Sequence, residues 1–104
     1  MSKEIQDSQV RQIRKAIHKV VEVGPDFLAK KISADQMAHT MIQAVDEYVK
    51  EAGSEHLKPQ SEEAQELMSV LAELRGCGSG FLANRCDAAC VARTITYMVD
   101  EFKA

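Results

Sequence analysis

The chain has 104 residues, of which 45% are hydrophobic and 28% are charged, and a formal net charge of −3. This length and mixture are typical of a single globular domain, 1–104, with one modest core. No run of about 18 apolar residues is present, which argues against a membrane span. The polar start of the chain and its odd number of cysteines, three, favour a reducing, cytoplasmic location.

The first predicted helix follows a short segment, 1–6, that we expect to be frayed. Asp7 or Ser8 can cap its start, and its apolar side chains then recur at steps of three and four residues, which is the helical period. Gly24 followed by Pro25 predicts its end. Glycine readily adopts the left-handed conformation after a helix, and proline cannot continue one.

The second predicted helix runs from Ala34 to Ala52, and Gly53 is expected to end it. Ser33 and Gln36 have the spacing of a capping box, in which the two side chains satisfy backbone N–H groups reciprocally. The apolar stripe of this helix is wide enough to contact two neighbours, so we expect it to be central.

The third predicted helix begins after its cap, Ser61, and ends at Gly76. The segment 76–80, GCGSG, predicts a tight flexible turn, because the lysine and hydroxyl residue of a phosphate-binding loop do not follow it. The fourth helix is expected to begin after this turn, with Asn84 as its cap and Asp87 in its first turn.

Four amphipathic helices without convincing strands predict an all-α fold. We expect a small antiparallel four-helix bundle with up-and-down connections, and an irregular helical array is the alternative. No internal repeat, low-complexity tract or domain linker is evident in the pattern. The core is expected to include Met41, Val45, Leu71 and Ile95.

The last helix carries a second semi-apolar face besides the stripe that joins the core. A small domain leaves much apolar surface uncovered, and a twofold dimer commonly covers it. We therefore predict an interface with a second copy or a partner protein on this face. Its candidate residues are Cys86, Cys90, Arg93 and Tyr97.

The three cysteines allow two further interpretations besides simple packing. Cys77, Cys86 and Cys90 are candidate redox thiols, with Cys77 bridging to either of the others under oxidation. Cys86 and Cys90 are four residues apart, so they can also present two ligands to a soft metal, with Cys77 as a third and His56 as a possible fourth. The loop-spaced cysteine pairs of zinc modules are missing, so neither a metal nor another cofactor is expected.

A basic face on the first helix is the remaining candidate site. The first 31 residues carry seven Lys and Arg against four Asp and Glu. Arg11, Arg14, Lys15 and Lys19 could contact an anion or nucleic acid. The negative net charge and the scarcity of aromatic residues argue against nucleic acid, so the simpler expectation is that this helix docks against acidic neighbours.

These patterns favour a non-enzymatic helical module that acts through protein contacts and self-associates through its last helix. A nucleophile cannot be paired with a base, which argues against an enzyme. Two alternatives stay open, a thiol-based redox or metal sensor that uses the three cysteines, and a nucleic-acid-binding regulator that uses the basic first helix.

Overall fold

The computed structural model describes residues 3–52, 58–59 and 61–102, and these contain four α-helices. The helices are α1 (Lys3–Leu28), α2 (Ala34–Ala52), α3 (Glu62–Leu82) and α4 (Ala88–Phe102). No strand occurs in this part of the chain, which confirms the predicted all-α class. One hydrophobic core is shared by all four helices. It includes the four predicted core residues, Met41, Val45, Leu71 and Ile95.

α1 begins earlier than the sequence pattern predicts. Its first residue is Lys3, so the predicted caps Asp7 and Ser8 lie within the helix, while the expected fraying of 1–6 stays a prediction. Residues 1–2 lie outside the described part of the chain.

α1 also ends later than predicted, because it continues through Gly24 and Pro25 to Leu28. Proline removes one helical hydrogen bond, so tertiary packing must support this segment. A Cβ atom on Gly24 would lie 2.9 Å from methyl carbons of both Ile95 and Val99 in α4. Glycine therefore serves here to let two helices approach closely, and not to end the first of them.

The predicted helix starts at α2 and α3 are confirmed. Ser33 Oγ accepts the N–H of Gln36 at 3.1 Å, and Gln36 Oε1 accepts the N–H of Ser33 at 2.9 Å, which is the reciprocal capping box. Ser61 Oγ accepts the N–H of Ala64 at 3.1 Å. The predicted stop at Gly53 lies outside the described residues.

The predicted turn at 76–80 is wrong, since α3 passes through the whole segment and ends at Leu82. The predicted helix end at Gly76 is wrong for the same reason. A Cβ atom on Gly78 would lie 2.8 Å from the backbone oxygen of Ala38 in α2. The absence of that atom lets α3 pack directly against the backbone of α2, and this contact stabilises a helix that glycine alone disfavours.

α3 ends in a Schellman motif centred on Asn84, which has a positive φ of 62°. The Asn84 N–H donates to the carbonyl of Phe81 at 3.1 Å, and the Arg85 N–H donates to the carbonyl of Gly80 at 2.7 Å. This bonding pattern satisfies the last carbonyl groups of a helix. Asn84 therefore terminates α3, and its predicted role as the cap of α4 is wrong.

The chain contains an internal repeat, contrary to expectation. Segments 24–38 (GPDFLAKKISADQMA) and 78–92 (GSGFLANRCDAACVA) are 54 residues apart and identical at six of 15 positions. Each covers the end of a long helix, a tight turn and the start of the next helix. The turns have the same conformation, because Lys30 and Asn84 occupy equivalent positions with φ of 64° and 62°.

The helix caps repeat as well. Asp87 is equivalent to Ser33, and its Oδ1 accepts the N–H of Cys90 at 3.0 Å, just as Ser33 accepts the N–H of Gln36. Asp87 is thus the cap of α4 and not a residue of its first turn. Position 90 differs in one respect, since a cysteine replaces the glutamine that completes the capping box in the first repeat.

The two repeats pack on each other reciprocally. Gly24 of α1 faces Ile95 of α4, while the equivalent Gly78 of α3 faces Met41 of α2. Ile95 and Met41 are themselves equivalent residues, 54 positions apart. The fold is therefore a pair of repeated helical hairpins, in which the first helix of each hairpin packs against the second helix of the other.

Candidate functional site

The three cysteine thiols converge at one end of the second hairpin. Their Sγ atoms all lie within 4.8 Å of one another, and all three residues are half-buried. Cys77 lies in α3, Cys86 in the connection after it, and Cys90 in the first turn of α4. The cluster is the only group of three or more His, Cys, Asp or Glu side chains, among the described residues, with metal-ligand proximity.

Three local features bring these thiols together. The continuation of α3 through the glycine-rich segment places Cys77 on a helix rather than on a loop. The Schellman turn then reverses the chain, and the Cys86 thiol donates to the carbonyl of Cys77 at 3.5 Å. The Asp87 cap fixes the start of α4 and thereby the position of Cys90.

The first repeat shows what this part of the hairpin requires structurally. In the first hairpin, the residues equivalent to the three cysteines lie 54 positions earlier in the chain. They are Val23, Ile32 and Gln36. Val23 and Ile32 pack partly buried against the core, and Gln36 completes the capping box. The hairpin therefore folds without any cysteine at these positions. The second hairpin has thiols at all three positions, and Cys77 packs against the core as Val23 does.

Burial and neighbouring thiols disfavour the thiolate form of the clustered cysteines. Burial, with the adjacent Cys90 and Cys77 thiols, raises the pKa of Cys86 to about 11. The pKa of Cys77 is also raised, chiefly by burial, and a hydrogen bond with Thr94 opposes the rise. Reactive redox cysteines have lowered pKa values, so these two thiols lack the usual activation for nucleophilic attack.

The spacing of the three sulfur atoms suits a shared thiophilic ion. Metal–sulfur bonds of about 2.3 Å place sulfurs around one ion roughly 3.5–4 Å apart, so small side-chain rotations suffice to close the observed cluster. The same proximity makes oxidation of two of the thiols to a disulfide the competing interpretation. A disulfide would use two cysteines and leave the third unexplained.

A shallow cleft of about 650 Å³ opens beside the thiols. Cys86 and Cys90 line it together with two guanidinium groups, Arg85 and Arg93, and one carboxylate, Asp87. The charged groups that line this cleft therefore carry a net positive charge. Sequence reasoning singled out Arg93 but missed Arg85, which the repeat aligns with Lys31 in the turn of the first hairpin.

The predicted interface residues do not all share one helix face. Cys86 lies before α4 begins at Ala88, and Cys90 belongs to the thiol cluster. Tyr97 is 52% exposed and is not among the residues that line the cleft beside Cys86. The helical period predicted that Tyr97 shares a face with Cys86 and Cys90. In the structure, the exposed Tyr97 is separate from the cluster of thiols.

The basic face of α1 is partly occupied by ion pairs with neighbouring helices. Arg14 Nη2 lies 2.8 Å from Glu63 Oε1 of α3. Lys19 pairs with Glu47 of α2, and this hydrogen bond raises the pKa of the lysine and lowers that of the glutamate. These contacts favour docking of a basic helix against acidic neighbours. The other two candidates, Arg11 and Lys15, line a surface depression on the same face.

No protein-family model, curated protein or solved structure matches this chain. Within the part that the structure describes, none of the helices is both long enough and apolar enough to cross a lipid bilayer. The candidate site must therefore be interpreted from its own chemistry.

Proposed function

We propose that this protein is a non-enzymatic thiol module that binds a soft metal ion through Cys77, Cys86 and Cys90. The observation that carries the proposal is the convergence of three thiols within 4.8 Å from three successive parts of the chain. Thiolates are the ligands that soft and borderline ions prefer. The first repeat adds support, because the same hairpin there folds with no thiol at the equivalent positions.

Binding would connect α3 to α4 directly. An ion held by Cys77 and Cys90 cross-links the two helices of the second hairpin, and Cys86 holds the turn between them. A ligand that binds the folded chain stabilises it by mass action, by about 2.7 kcal/mol at a concentration of one hundred times its dissociation constant. A metal sensor requires such a coupling, in which binding of the ion to the thiols changes the stability of the hairpin.

The proposal predicts that the reduced protein binds one Cd²⁺ ion with sulfur-to-cadmium charge-transfer absorbance. The binding free energy of a structural zinc site is about 10–16 kcal/mol. Such a site has four ligands, so each ligand contributes about 3 kcal/mol. Each single Cys→Ser variant should then bind roughly one hundred times more weakly. Titration by ultraviolet absorbance and by calorimetry measures both the stoichiometry and the affinity.

The internal repeat supplies a matched control for this experiment. The triple variant Cys77→Val, Cys86→Ile, Cys90→Gln restores the residues of the first hairpin. It should keep the helical circular dichroism of the native chain and lose the cadmium signal. Failure of the fully reduced native protein to bind Cd²⁺ or any other thiophilic ion would contradict the proposal, and so would equal cadmium binding by the triple variant.

Association through α4 is a second candidate function, and the exposure of Tyr97 favours it. A tyrosine that is 52% exposed offers a large apolar body with a polar tip, which suits an interface. If a dimer forms on this face, Tyr97→Asp should raise its dissociation constant on the order of tenfold or more without changing the helical content. Sedimentation equilibrium measures this change.

The matched control is Gln43→Asp, since Gln43 is the exposed residue equivalent to Tyr97 in the first hairpin. It introduces the same charge and should leave association unchanged. A native chain that sediments as a monomer at high micromolar concentration would contradict the homodimer. Unfolding of Tyr97→Asp would show that the residue belongs to the monomer core.

A further inference from the structure

We infer that the three-thiol cluster is suited to a trivalent arsenic or antimony species, bound by three sulfurs in a pyramidal geometry, in preference to a tetrahedral divalent ion. The inference rests on the proposed function and names the class of ion. Its basis is the number of donors in the cluster, the charge of the adjacent cleft, and the balance of the binding reaction.

Among the described residues, the donor set is complete for three-coordination and lacks a fourth protein ligand. Structural zinc sites are almost always four-coordinate. In the described part of the chain, no His, Asp or Glu joins Cys77, Cys86 and Cys90 in their cluster. The nearest carboxylate in sequence, Asp87, accepts the N–H of Cys90 as a helix cap. The other predicted ligand, His56, lies outside the described residues. Trivalent arsenic forms three bonds and carries a lone pair, so three thiols satisfy it.

The charge of the cleft points to the same class of ligand. Arg85 and Arg93 outnumber the single carboxylate, Asp87, that lines it. A net positive potential lowers the local concentration of hydrated divalent cations, whereas it does not repel a neutral molecule. Arsenite at neutral pH is the neutral species As(OH)₃. It can therefore reach the thiols through this cleft without an electrostatic penalty.

The binding reaction is balanced without any further reactant. As(OH)₃ and three thiols give an arsenic tris-thiolate and three water molecules. Three arsenic–oxygen bonds break and three arsenic–sulfur bonds form, and each thiol proton leaves with a hydroxyl group as water. Arsenic remains trivalent and no sulfur is oxidised. The product carries no net charge at the half-buried cluster.

The test is a titration of the reduced full-length protein with arsenite, followed by native mass spectrometry and by the count of thiols that still react. We expect the mass to rise by one arsenic atom less three hydrogen atoms, with the loss of all three reactive thiols. Equimolar Zn²⁺ should not displace the arsenic. His56→Ala should bind arsenite as the native chain does. The triple variant Cys77→Val, Cys86→Ile, Cys90→Gln should show no mass shift.

Each contrary result overturns a defined part of the inference. An adduct that has lost two thiol hydrogens and kept one hydroxyl group on arsenic would show a two-sulfur site. Zinc binding that arsenite does not displace, or zinc binding abolished by His56→Ala, would show a four-coordinate divalent site. In both cases the proposed thiol module would stand. Binding of neither arsenite, Cd²⁺ nor Zn²⁺ would overturn the proposed function itself.

Discussion

Replacing Leu71 with alanine is expected to lower the free energy of unfolding by about 2–5 kcal/mol, since it leaves a cavity in the core. Leu71 lies on the buried face of α3 and is 3% exposed. It belongs to the cluster that joins all four helices. Urea denaturation followed by circular dichroism measures the change as a lower midpoint with a similar slope.

The control for Leu71 is Leu82→Ala at the last residue of the same helix. Leu82 is 39% exposed, so its truncation removes less buried surface and should cost under about 1 kcal/mol. Equal denaturation midpoints for Leu71→Ala and the native chain would contradict the placement of α3 in the core.

The second large effect is expected at Gly78. A Cβ atom there would lie 2.8 Å from the backbone oxygen of Ala38, and a backbone atom cannot rotate away as a side chain can. Gly78→Ala must therefore push α3 away from α2, and overpacking of this kind costs about 1–3 kcal/mol. The change is measured as a lower free energy of unfolding in urea.

Gly76→Ala is expected to have the opposite effect on stability, although Gly76 is only two residues before Gly78 in the same helix. A Cβ atom on Gly76 has no neighbour within 4 Å, and the residue is exposed within α3. Alanine should therefore stabilise the protein by about 0.5–1 kcal/mol through its higher helix propensity. Destabilisation by Gly76→Ala together with a harmless Gly78→Ala would indicate that the segment is a turn and not a helix.

The glycine-rich segment shows why part of the fold could not be predicted from local patterns. Each glycine disfavours a helix by roughly 1 kcal/mol relative to alanine, and five residues with three glycines predict a turn. The contact between Gly78 and the backbone of Ala38 is made with another helix. The same applies to Gly24, whose neighbours Ile95 and Val99 are more than 70 residues away in the chain. Local propensity contains no information on such contacts.

The sequence singled out the three cysteines as candidates but did not predict how they lie relative to one another. Cys86 and Cys90 are four residues apart, and that spacing alone placed them together on one helix face. The structure places them in different elements, and Cys77 approaches them because α3 continues into the segment predicted as a turn. The 54-residue repeat aligns GSGFLA with GPDFLA, and a helix end was predicted at or just before both segments. The repeat therefore indicates that the two segments share a conformation, but not that this conformation is helical.

The sequence by itself determined the all-α class, the start of α2, the caps Ser33 and Ser61, and the core residues Met41 and Leu71. These features depend on local hydrogen bonds and on helical periodicity, which neighbouring residues encode. Tertiary structure alone decided that Gly24 and the glycine-rich segment are helical and that the three thiols meet. Both outcomes depend on close packing between helices that are distant in the chain, and the free energy of that packing exceeds the local preference of glycine to end a helix.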